Sequence, residues 1–282
     1  MMNMKVKNRI SNTVIYIFLS IMVIIWLLPI AWLVLCSLRE EAGADLSYFI
    51  PKTWSFKNYI DLTKTDTFFF PRWFGNTLFV AVFSCILSSL YVLMVSYTFS
   101  RLRFKIRRPL MNLVLILGMF PGFMSMIAVY YILKAVNMTQ SLLALILVYS
   151  SGAGLSYYVA KGFFDTIPKN MDEAARIDGA SQNQVFWKIV LPLSKPIILY
   201  TILTSFMAPW MDFIFVSVIM KDNYQNYTVA LGLYRMLERE NMNTYFTKFC
   251  ASSVLVAIPI TALFISMQKF YIEGVTGGSV KG

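Results

Sequence analysis

The chain has 282 residues, of which 58% are hydrophobic and 14% are charged, and its mean hydropathy is +0.63. Soluble domains usually carry about 25% charged residues, so this composition excludes an ordinary soluble protein and indicates a membrane protein. The formal net charge is +11, but the basic residues flank apolar segments, as the positive-inside rule expects. They form no single basic stripe, so we expect no nucleic-acid partner.

The chain has no histidine and three widely spaced cysteines, Cys36, Cys85 and Cys250. The cysteines lie in or beside apolar segments without metal-ligand spacing, so they predict neither a disulfide framework nor a metal site. Without histidine, the usual general base and proton shuttle are missing. No cluster of acids or cysteines replaces it, so an integral membrane enzyme is disfavoured and we expect no catalytic residue.

Six apolar segments have the length of about 20 residues that a helix needs to cross the hydrocarbon core. They are Thr13–Leu38, Phe74–Phe99, Pro109–Leu133, Ser141–Phe164, Ile197–Met220 and Phe246–Phe270. Segments this long exclude the short alternating strands of a membrane β-barrel. We therefore predict an all-α polytopic membrane protein with six transmembrane helices. The first segment is too long for a signal peptide and lacks a cleavage site, so we predict an uncleaved span.

Basic residues in the short loops predict the orientation of these helices. The turn Arg101–Arg108 is rich in Lys and Arg and has no acid, and the basic segment Lys5–Arg9 precedes the first span. Both are predicted to be cytoplasmic, and six spans then place the N- and C-termini in the cytoplasm. The segments predicted to face outward are Arg39–Arg72, Lys134–Gln140 and Lys221–Tyr245.

Prolines interrupt several predicted spans, at Pro29, Pro121, Pro209 and Pro259. Each proline removes a helix hydrogen bond and favours a kink. The kinks are either hinges around a gated pathway or a reflection of the general frequency of proline in membrane helices.

The stretch 167–192, here called the polar hairpin, predicts two short helices instead of a simple loop. Asn170 with Glu173, and Ser181 with Gln184, have the spacing of capping boxes. Gly179 suits the turn between the helices, and the sequence Leu191-Pro192 is expected to end the second one. The apolar side chains of this hairpin would need a partner surface; they are Ile177, Val185, Phe186 and Ile189.

Residues of the polar hairpin resemble the EAA motif of permease subunits in bacterial ABC importers. The matching residues are Glu173, Ala174, Ala175, Asp178, Gly179, Ala180, Ile189, Leu191 and Pro192. Further segments resemble the carbohydrate-uptake branch that includes the maltose/maltodextrin-type permease. These segments are Asn76-Thr77-Leu78, Phe120-Pro121, Gly162-Phe163-Phe164, Trp210-Met211-Asp212-Phe213 and the Gly-rich end Glu273–Gly282. Met211 departs from the branch, which has Asn at this position.

The resemblance implies a permease subunit that forms half of the pathway for a sugar, with an oligosaccharide such as maltodextrin as first choice. Raffinose-type, galacto-oligosaccharide and uronate cargoes remain open. It also implies that the polar hairpin docks on a separate ABC ATPase dimer. Because the chain lacks a phosphate-binding loop, we expect no cofactor here, and ATP and Mg on the ATPase. The other implied partners are a second, homologous permease, an extracellular solute-binding protein and the lipids of the bacterial plasma (inner) membrane.

Three parts of the chain follow from this interpretation. Residues 1–72 hold the first transmembrane helix and an extracellular loop, and 73–270 form a permease core of five transmembrane helices with the polar hairpin. Residues 271–282 form a Gly-rich cytoplasmic tail. The resemblance implies that this tail contacts the ATPase dimer through Gly277, Gly278, Lys281 and Gly282. The alternative is a frayed terminus.

Three residues are candidates for the substrate path. Asp212 is the only acid well inside a predicted span, and an intramembrane carboxylate normally faces the helix bundle or a wet cavity. Asp212 and its neighbour Trp210 therefore either line the pathway or form a structural contact between helices. Asn76 is either a pathway residue or a helix-packing residue. An ion-coupled transporter would be expected to place several ionisable groups near the midplane, so this class is disfavoured. The outward loop with Tyr224, Tyr227, Tyr234 and Glu238 is a candidate surface for the solute-binding protein.

The predicted orientation can be tested by labelling single cysteines in intact cells. Cysteines introduced at Lys105 and Asn183 should be protected from membrane-impermeant thiol reagents, whereas one at Asn226 should react, because only the last position is predicted to face outward. The three native cysteines are first replaced with alanine, so that the signal comes from the introduced thiol alone. Labelling of position 183 from outside would overturn the orientation.

Overall fold

The computed structural model describes residues 4–44, 48–64, 68–119, 121–151 and 154–277, and their side chains except at 4–11, 154 and 270–277. Within these ranges the chain is helical and has no strand beyond one isolated bridge, between Arg39 and Trp54. The main helices, in chain order, are α1 (Met4–Ser37), α2 (Lys57–Leu62), α3 (Phe70–Arg101), α4 (Arg107–Met119), α5 (Gly122–Ala135), α6 (Leu142–Ser150), α7 (Gly154–Thr166), α8 (Lys169–Ile177), α9 (Gln182–Leu193), α10 (Lys195–Met211), α11 (Ile214–Met220), α12 (Val229–Met236) and α13 (Met242–Gly277).

Four of the spans are long and apolar enough to cross a membrane without a sharp bend: Asn12–Ser37, Phe70–Arg101, Leu142–Thr166 and Met242–Lys269. Two helix pairs qualify only as bent spans, with angles of 103° between α4 and α5 and 83° between α9 and α10. Counting each bent pair as one span gives six. The predicted all-α polytopic fold is confirmed.

Two predicted spans are each split into two separate helices. Pro109–Leu133 is split at Pro121, which lies at the N-cap of α5 and has no N–H to continue the helix. Ile197–Met220 is split because Asp212 and Phe213 are not helical. Pro29, Pro209 and Pro259 each lie inside a continuous helix.

The described residues divide into two compact units. One contains Met1–Phe68 and Leu233–Ala257, and the other contains Phe69–Gly232 and Ile258–Gly282. In the first unit the buried side chain of Asn58 joins three parts of the chain. Its amide donates to the carbonyl oxygens of Ser37 (3.0 Å) and Arg39 (2.6 Å), and its oxygen accepts from the Thr247 hydroxyl (3.1 Å).

Helix α1 has an unusual exposure for so apolar a segment. The 18-residue window that qualifies Asn12–Ser37 as a span has no buried residue in the chain taken alone. Since an apolar helix of this length is stable only against lipid or other protein, α1 is a helix for the bilayer or for a partner subunit.

Helix α3 is the centre of the second unit, and it packs against α6, α7 and α10. Its C-terminal half contributes to an apolar core formed by Val92, Leu93, Tyr97, Ala160, Phe164, Ile167, Val185, Phe186, Val190 and Ile197. Because three of these residues, Val185, Phe186 and Val190, belong to the second helix of the polar hairpin, the same core fixes the hairpin to the transmembrane helices.

The first turns of α3 bind the segment that precedes α12. Trp73 Nε1 donates to the Tyr224 carbonyl oxygen (2.7 Å), and the Thr77 hydroxyl accepts from the Val229 N–H (2.8 Å). The indole of Trp73 is 1% exposed. A Cβ on Gly232 would overlap three atoms of this ring, so glycine is required there by close packing.

Replacement of Gly232 by alanine should therefore destabilise the protein by about 1–3 kcal/mol, the usual range for overpacking a core. Thermal unfolding of the purified protein in detergent measures the effect. Gly75→Ala in α3 is the matched control, because a Cβ at that position meets nothing within 4 Å. Equal melting temperatures for Gly232→Ala and the wild type would contradict the close packing.

Candidate functional site: the polar hairpin and the break after α10

The first helix of the polar hairpin, α8, begins one residue before the predicted cap. Its N-cap is Pro168, which makes no side-chain capping bond, and the helix starts at Lys169. The prediction that Asn170 caps this helix is therefore wrong. Pro168 has the backbone angles φ −58° and ψ 129°, which suit the residue before a helix, so the proline ring sets the start and Asn170 falls inside the first turn.

The turn between the two hairpin helices is confirmed in detail. Gly179 has φ +85°, a left-handed conformation that side chains disfavour. The Gly179 N–H donates to the Arg176 carbonyl oxygen (3.0 Å), and the Ala180 N–H donates to that of Ala175 (2.9 Å). These two bonds form a Schellman motif, which satisfies the carbonyl groups at the end of α8.

The second capping box is also confirmed. The Ser181 N–H donates to Gln184 Oε1 (2.7 Å), and the Gln184 N–H donates to Ser181 Oγ (3.3 Å). The predicted end of this helix at Leu191-Pro192 is one residue early, because α9 ends at Leu193. Residues Phe186–Val190 form a π-helical turn, and such a wider turn moves the preceding carbonyl groups away from the proline ring.

The structure divides the residues of the EAA-like motif into two groups. Those with exposed side chains or backbone are Glu173, Ala174, Asp178, Gly179 and Pro192. Those that are half-buried are Ala175, Ala180, Ile189 and Leu191. The exposed group is available for a partner, while Ala175, Ala180 and Leu191 pack against the apolar core.

The apolar residues of the polar hairpin are also divided, which corrects one expectation. Val185 is 0% and Phe186 is 5% exposed, and the ring of Phe186 lies 4.8 Å from that of Tyr97. These two residues therefore need no partner protein. Ile177 at the end of α8 is 86% exposed, and Met171 and Trp187 are 40% and 45% exposed.

A buried ion pair joins the hairpin to the end of α3. Arg101 Nε lies 2.9 Å from Asp172 Oδ2, and the two side chains are 2% and 6% exposed. Arg101 Nη2 also donates to the Ile167 carbonyl oxygen (2.8 Å). Beside this pair, the Ser100 hydroxyl donates to Asp165 Oδ1 (2.6 Å). Sequence analysis missed Arg101 and Asp172 as site residues, because Arg101 was used only to predict the orientation and Asp172 was given no role.

A cleft of about 580 Å³ lies between the segment after α3 and the hairpin. Its charged lining residues are Arg101, Arg103, Lys169, Asp172, Glu173 and Arg176. Basic side chains outnumber acidic ones, so this surface is net positive next to the exposed carboxylate of Glu173.

Asp212 lies in the break between α10 and α11, and both of its carboxylate oxygens are used. Oδ1 accepts from the Phe215 N–H (3.0 Å), and Oδ2 accepts from the Tyr149 hydroxyl (2.9 Å). The first bond satisfies a free N–H at the start of α11, and the second joins α6 to the break. This arrangement satisfies polar groups that lipid could not solvate.

The other two substrate-path candidates lie in packed surroundings. Trp210 is 4% exposed and makes an edge-to-face contact with Phe74, with ring centroids 5.4 Å apart. Asn76 donates to the carbonyl oxygens of Gln225 (2.8 Å) and Tyr227 (3.0 Å). It therefore holds the segment before α12, as Trp73 and Thr77 do.

Within the predicted outward loop, the tyrosines differ in exposure. Tyr224 and Tyr234 are 47% and 49% exposed, but Tyr227 is 0% exposed and its hydroxyl donates to the Lys221 carbonyl oxygen. Tyr227 is thus not available to a binding protein. Glu238 is half-buried and pairs with Arg235 (2.7 Å). In the predicted tail, α13 continues to Gly277, whereas Gly278, Lys281 and Gly282 lie outside the described residues.

A protein-family model described as "Binding-protein-dependent transport system inner membrane component" matches residues 92–272. This range covers well over half of the chain and contains both the polar hairpin and the break at Asp212. The chain belongs to this family. It is therefore a multi-pass inner-membrane component of a binding-protein-dependent importer, and the predicted resemblance to ABC importer permeases is confirmed.

Relatives of this importer component match over almost their whole length. The galactooligosaccharides transport system permease protein GanQ of Bacillus subtilis (strain 168) is 33% identical, over 99% of each chain. The maltodextrin transport system permease protein MdxG of the same strain is 29% identical, over 100% of each chain. The crystal structure of a bacterial ABC transporter involved in the import of the acidic polysaccharide alginate gives a TM-score of 0.79 at 21% identity, covering 94% of this chain and 98% of that chain. This structural match supports the permease fold.

The geometry at Asp212 predicts a structural effect of mutation. Asp212→Ala in the importer component leaves the Phe215 N–H and the Tyr149 hydroxyl without partners, so stability should fall by about 1–3 kcal/mol. The ratio of uptake rates for two sugars should remain that of the wild type. Melting temperature and radiolabelled uptake measure the two quantities.

Two further variants separate the two bonds of Asp212. Asp212→Asn keeps an acceptor for Phe215 and should unfold close to the wild-type temperature, while Tyr149→Phe removes only the second bond and should have an intermediate effect. A changed sugar preference at wild-type stability would instead assign Asp212 to the pathway.

Proposed function

We propose that the chain is a permease subunit of an ABC importer for oligosaccharides. It forms half of the translocation pathway beside a second, homologous permease, and the polar hairpin couples it to a separate ATPase dimer. ATP and Mg are bound by that ATPase, and an extracellular solute-binding protein delivers the sugar. The proposal rests on the family membership, on the relatives' substrates and on the exposed face of the hairpin.

The observation that carries the coupling proposal is the exposure of Ile177. This side chain is 86% exposed at the end of a helix whose other residues are mostly polar, next to the left-handed turn at Gly179. An isolated apolar side chain on a surface is common, but the same hairpin also exposes Met171 and Trp187. A rigid hairpin with an exposed apolar tip and a charged flank at Glu173 fits a groove on a protein partner.

The buried part of the hairpin explains how such docking would act on the transmembrane helices. Val185 and Phe186 lie in the core with Tyr97 of α3 and Phe164 of α7. A force applied to the exposed face is therefore transmitted to two transmembrane helices through close-packed side chains, which behave as a solid and not as a liquid.

Relatives support an oligosaccharide as cargo. GanQ is named for galactooligosaccharides and MdxG for maltodextrin, and both substrates are short chains of neutral hexoses. We therefore propose oligosaccharides as a class and not maltodextrin alone, because GanQ, which is more similar to this chain than MdxG, is named for galactooligosaccharides. Competition between maltotetraose and β-1,4-galactotetraose for uptake, in cells with and without the chain, identifies the cargo. If cells without the chain still take up both sugars at the wild-type rate, the oligosaccharide class is contradicted.

The docking face is the exposed surface of the polar hairpin at Glu173 and Ile177. A substitution that changes its charge should abolish coupling to the ATPase without unfolding the protein. We expect Ile177→Asp and Glu173→Lys to reach the membrane in wild-type amounts but to lose uptake and copurification of the ATPase. Gly179→Pro should do the same, because proline cannot adopt the positive φ of this turn. Membrane content, copurification with the tagged chain and oligosaccharide uptake are the measurements.

Ile106→Asp is the matched control for Ile177→Asp. Ile106 is 59% exposed in the neighbouring predicted cytoplasmic turn and lies outside the EAA-like motif, so the same substitution should leave copurification intact. Normal uptake by a well-expressed Gly179→Pro variant would show that the hairpin is not the coupling element.

A further inference from the structure

The ion pair between Arg101 and Asp172 connects the first helix of the hairpin directly to a transmembrane helix. Arg101 is the last residue of α3, and Asp172 lies in the first turn of α8. Among the residues that the structure describes, it is the only hydrogen-bond or ion-pair contact from an α8 side chain to a transmembrane helix. The remaining attachment of α8 is apolar, through half-buried Ala175.

The guanidinium group of Arg101 holds two successive parts of the hairpin at once. Its Nε faces the Asp172 carboxylate, while its Nη2 donates to the Ile167 carbonyl oxygen (2.8 Å) just before α8 begins. A planar guanidinium makes both contacts from one fixed orientation, which a lysine ammonium on a flexible stem does not. The start of α8 is therefore fixed in angle as well as in distance relative to the end of α3.

Burial makes this pair an unusual choice for stability alone. Two charges that are 2% and 6% exposed lose most of their hydration, and an ion pair in such surroundings often stabilises a fold no better than apolar residues of similar volume. What the pair adds over an apolar contact is a defined geometry, because a contact between apolar side chains allows sliding. A defined geometry matters where a movement of one helix, here α8, has to move another helix, here α3.

We propose that Arg101 and Asp172 are positioning residues for energy coupling, whose ion pair makes α8 and α3 move together when the ATPase acts on the hairpin. This inference rests on the proposed function, since it names how the docking face is joined to the transmembrane helices. Both side chains are buried, so neither is part of the exposed face at Glu173 and Ile177.

The decisive variant replaces both charges, Arg101→Met with Asp172→Leu, so that no unpaired charge is left in the core. The complex that copurifies with the tagged chain from its native host is compared with wild type, and uptake of radiolabelled maltotetraose and β-1,4-galactotetraose is measured in cells. The ATPase should copurify in the wild-type ratio and hydrolyse ATP at the wild-type rate. Uptake per assembled complex should fall about tenfold, within the usual range of coupling between sites.

Two variants serve as controls. Asp172→Glu keeps the ion pair and should retain wild-type uptake. Lys161→Met removes the partly exposed pair between Lys161 and Asp165 on α7, and exposed pairs of this kind contribute little, so uptake per complex should not change. If the double variant cannot be recovered, Arg101→Lys decides, because lysine keeps the charge but cannot make both contacts; uptake per complex should again fall.

The proposal is overturned if the double variant, or Arg101→Lys in its place, imports at the wild-type rate per complex. It is equally overturned if uptake and ATP hydrolysis fall together in proportion to the amount of complex, because that is the result of a purely structural role. Failure of the proposed function is seen separately, as a wild-type chain that is recovered without an ATPase, and it would remove this inference as well.

Discussion

In the hydrocarbon core of a membrane, backbone N–H and C=O groups have no water to bind, so each interruption of a helix must be satisfied from within the protein. The break between α10 and α11 is satisfied by one carboxylate, because Asp212 accepts from the Phe215 N–H and from the Tyr149 hydroxyl. In the same unit, Asn76 holds the segment before α12 by bonding two of its carbonyl groups. These side chains decide where the chain can leave its helices, and the arrangement of the second unit depends on them.

The polar hairpin shows how a segment that cannot enter the membrane is nevertheless fixed to it. Its second helix places Phe186 among Tyr97 and Phe164, so one face of the hairpin belongs to the transmembrane core. Its first helix leaves Glu173 and Ile177 exposed. The hairpin therefore has an inner face that packs in the core and an outer face that is free for the proposed partner. The EAA-like motif contains both kinds of residue, which explains why it is longer than a docking surface alone requires.

Features with a local cause were predictable from the sequence, and features with a distant cause were not. The left-handed turn at Gly179 and the capping bonds between Ser181 and Gln184 depend on residues within a few positions of each other, and both predictions were correct. Asn170 has the right residue type for a cap, but Pro168 sets the helix start instead. The burial of Phe186 and the pairing of Arg101 with Asp172 join residues far apart in the chain. A single sequence does not show which distant residues are close in space. Arg101 was therefore used only to predict the orientation of the helices.

The separation of Arg101 and Asp172 along the chain has a consequence for the order of assembly during synthesis. Asp172 is made about 70 residues after Arg101, which is roughly 4 to 14 seconds later at ribosomal rates of about 5–20 residues per second. Before Asp172 is made, the Arg101 guanidinium lacks the carboxylate that it pairs with in the folded protein. The buried ion pair therefore forms only after α3 is complete and the chain has reached α8, so the start of α8 cannot be fixed to α3 any earlier in synthesis.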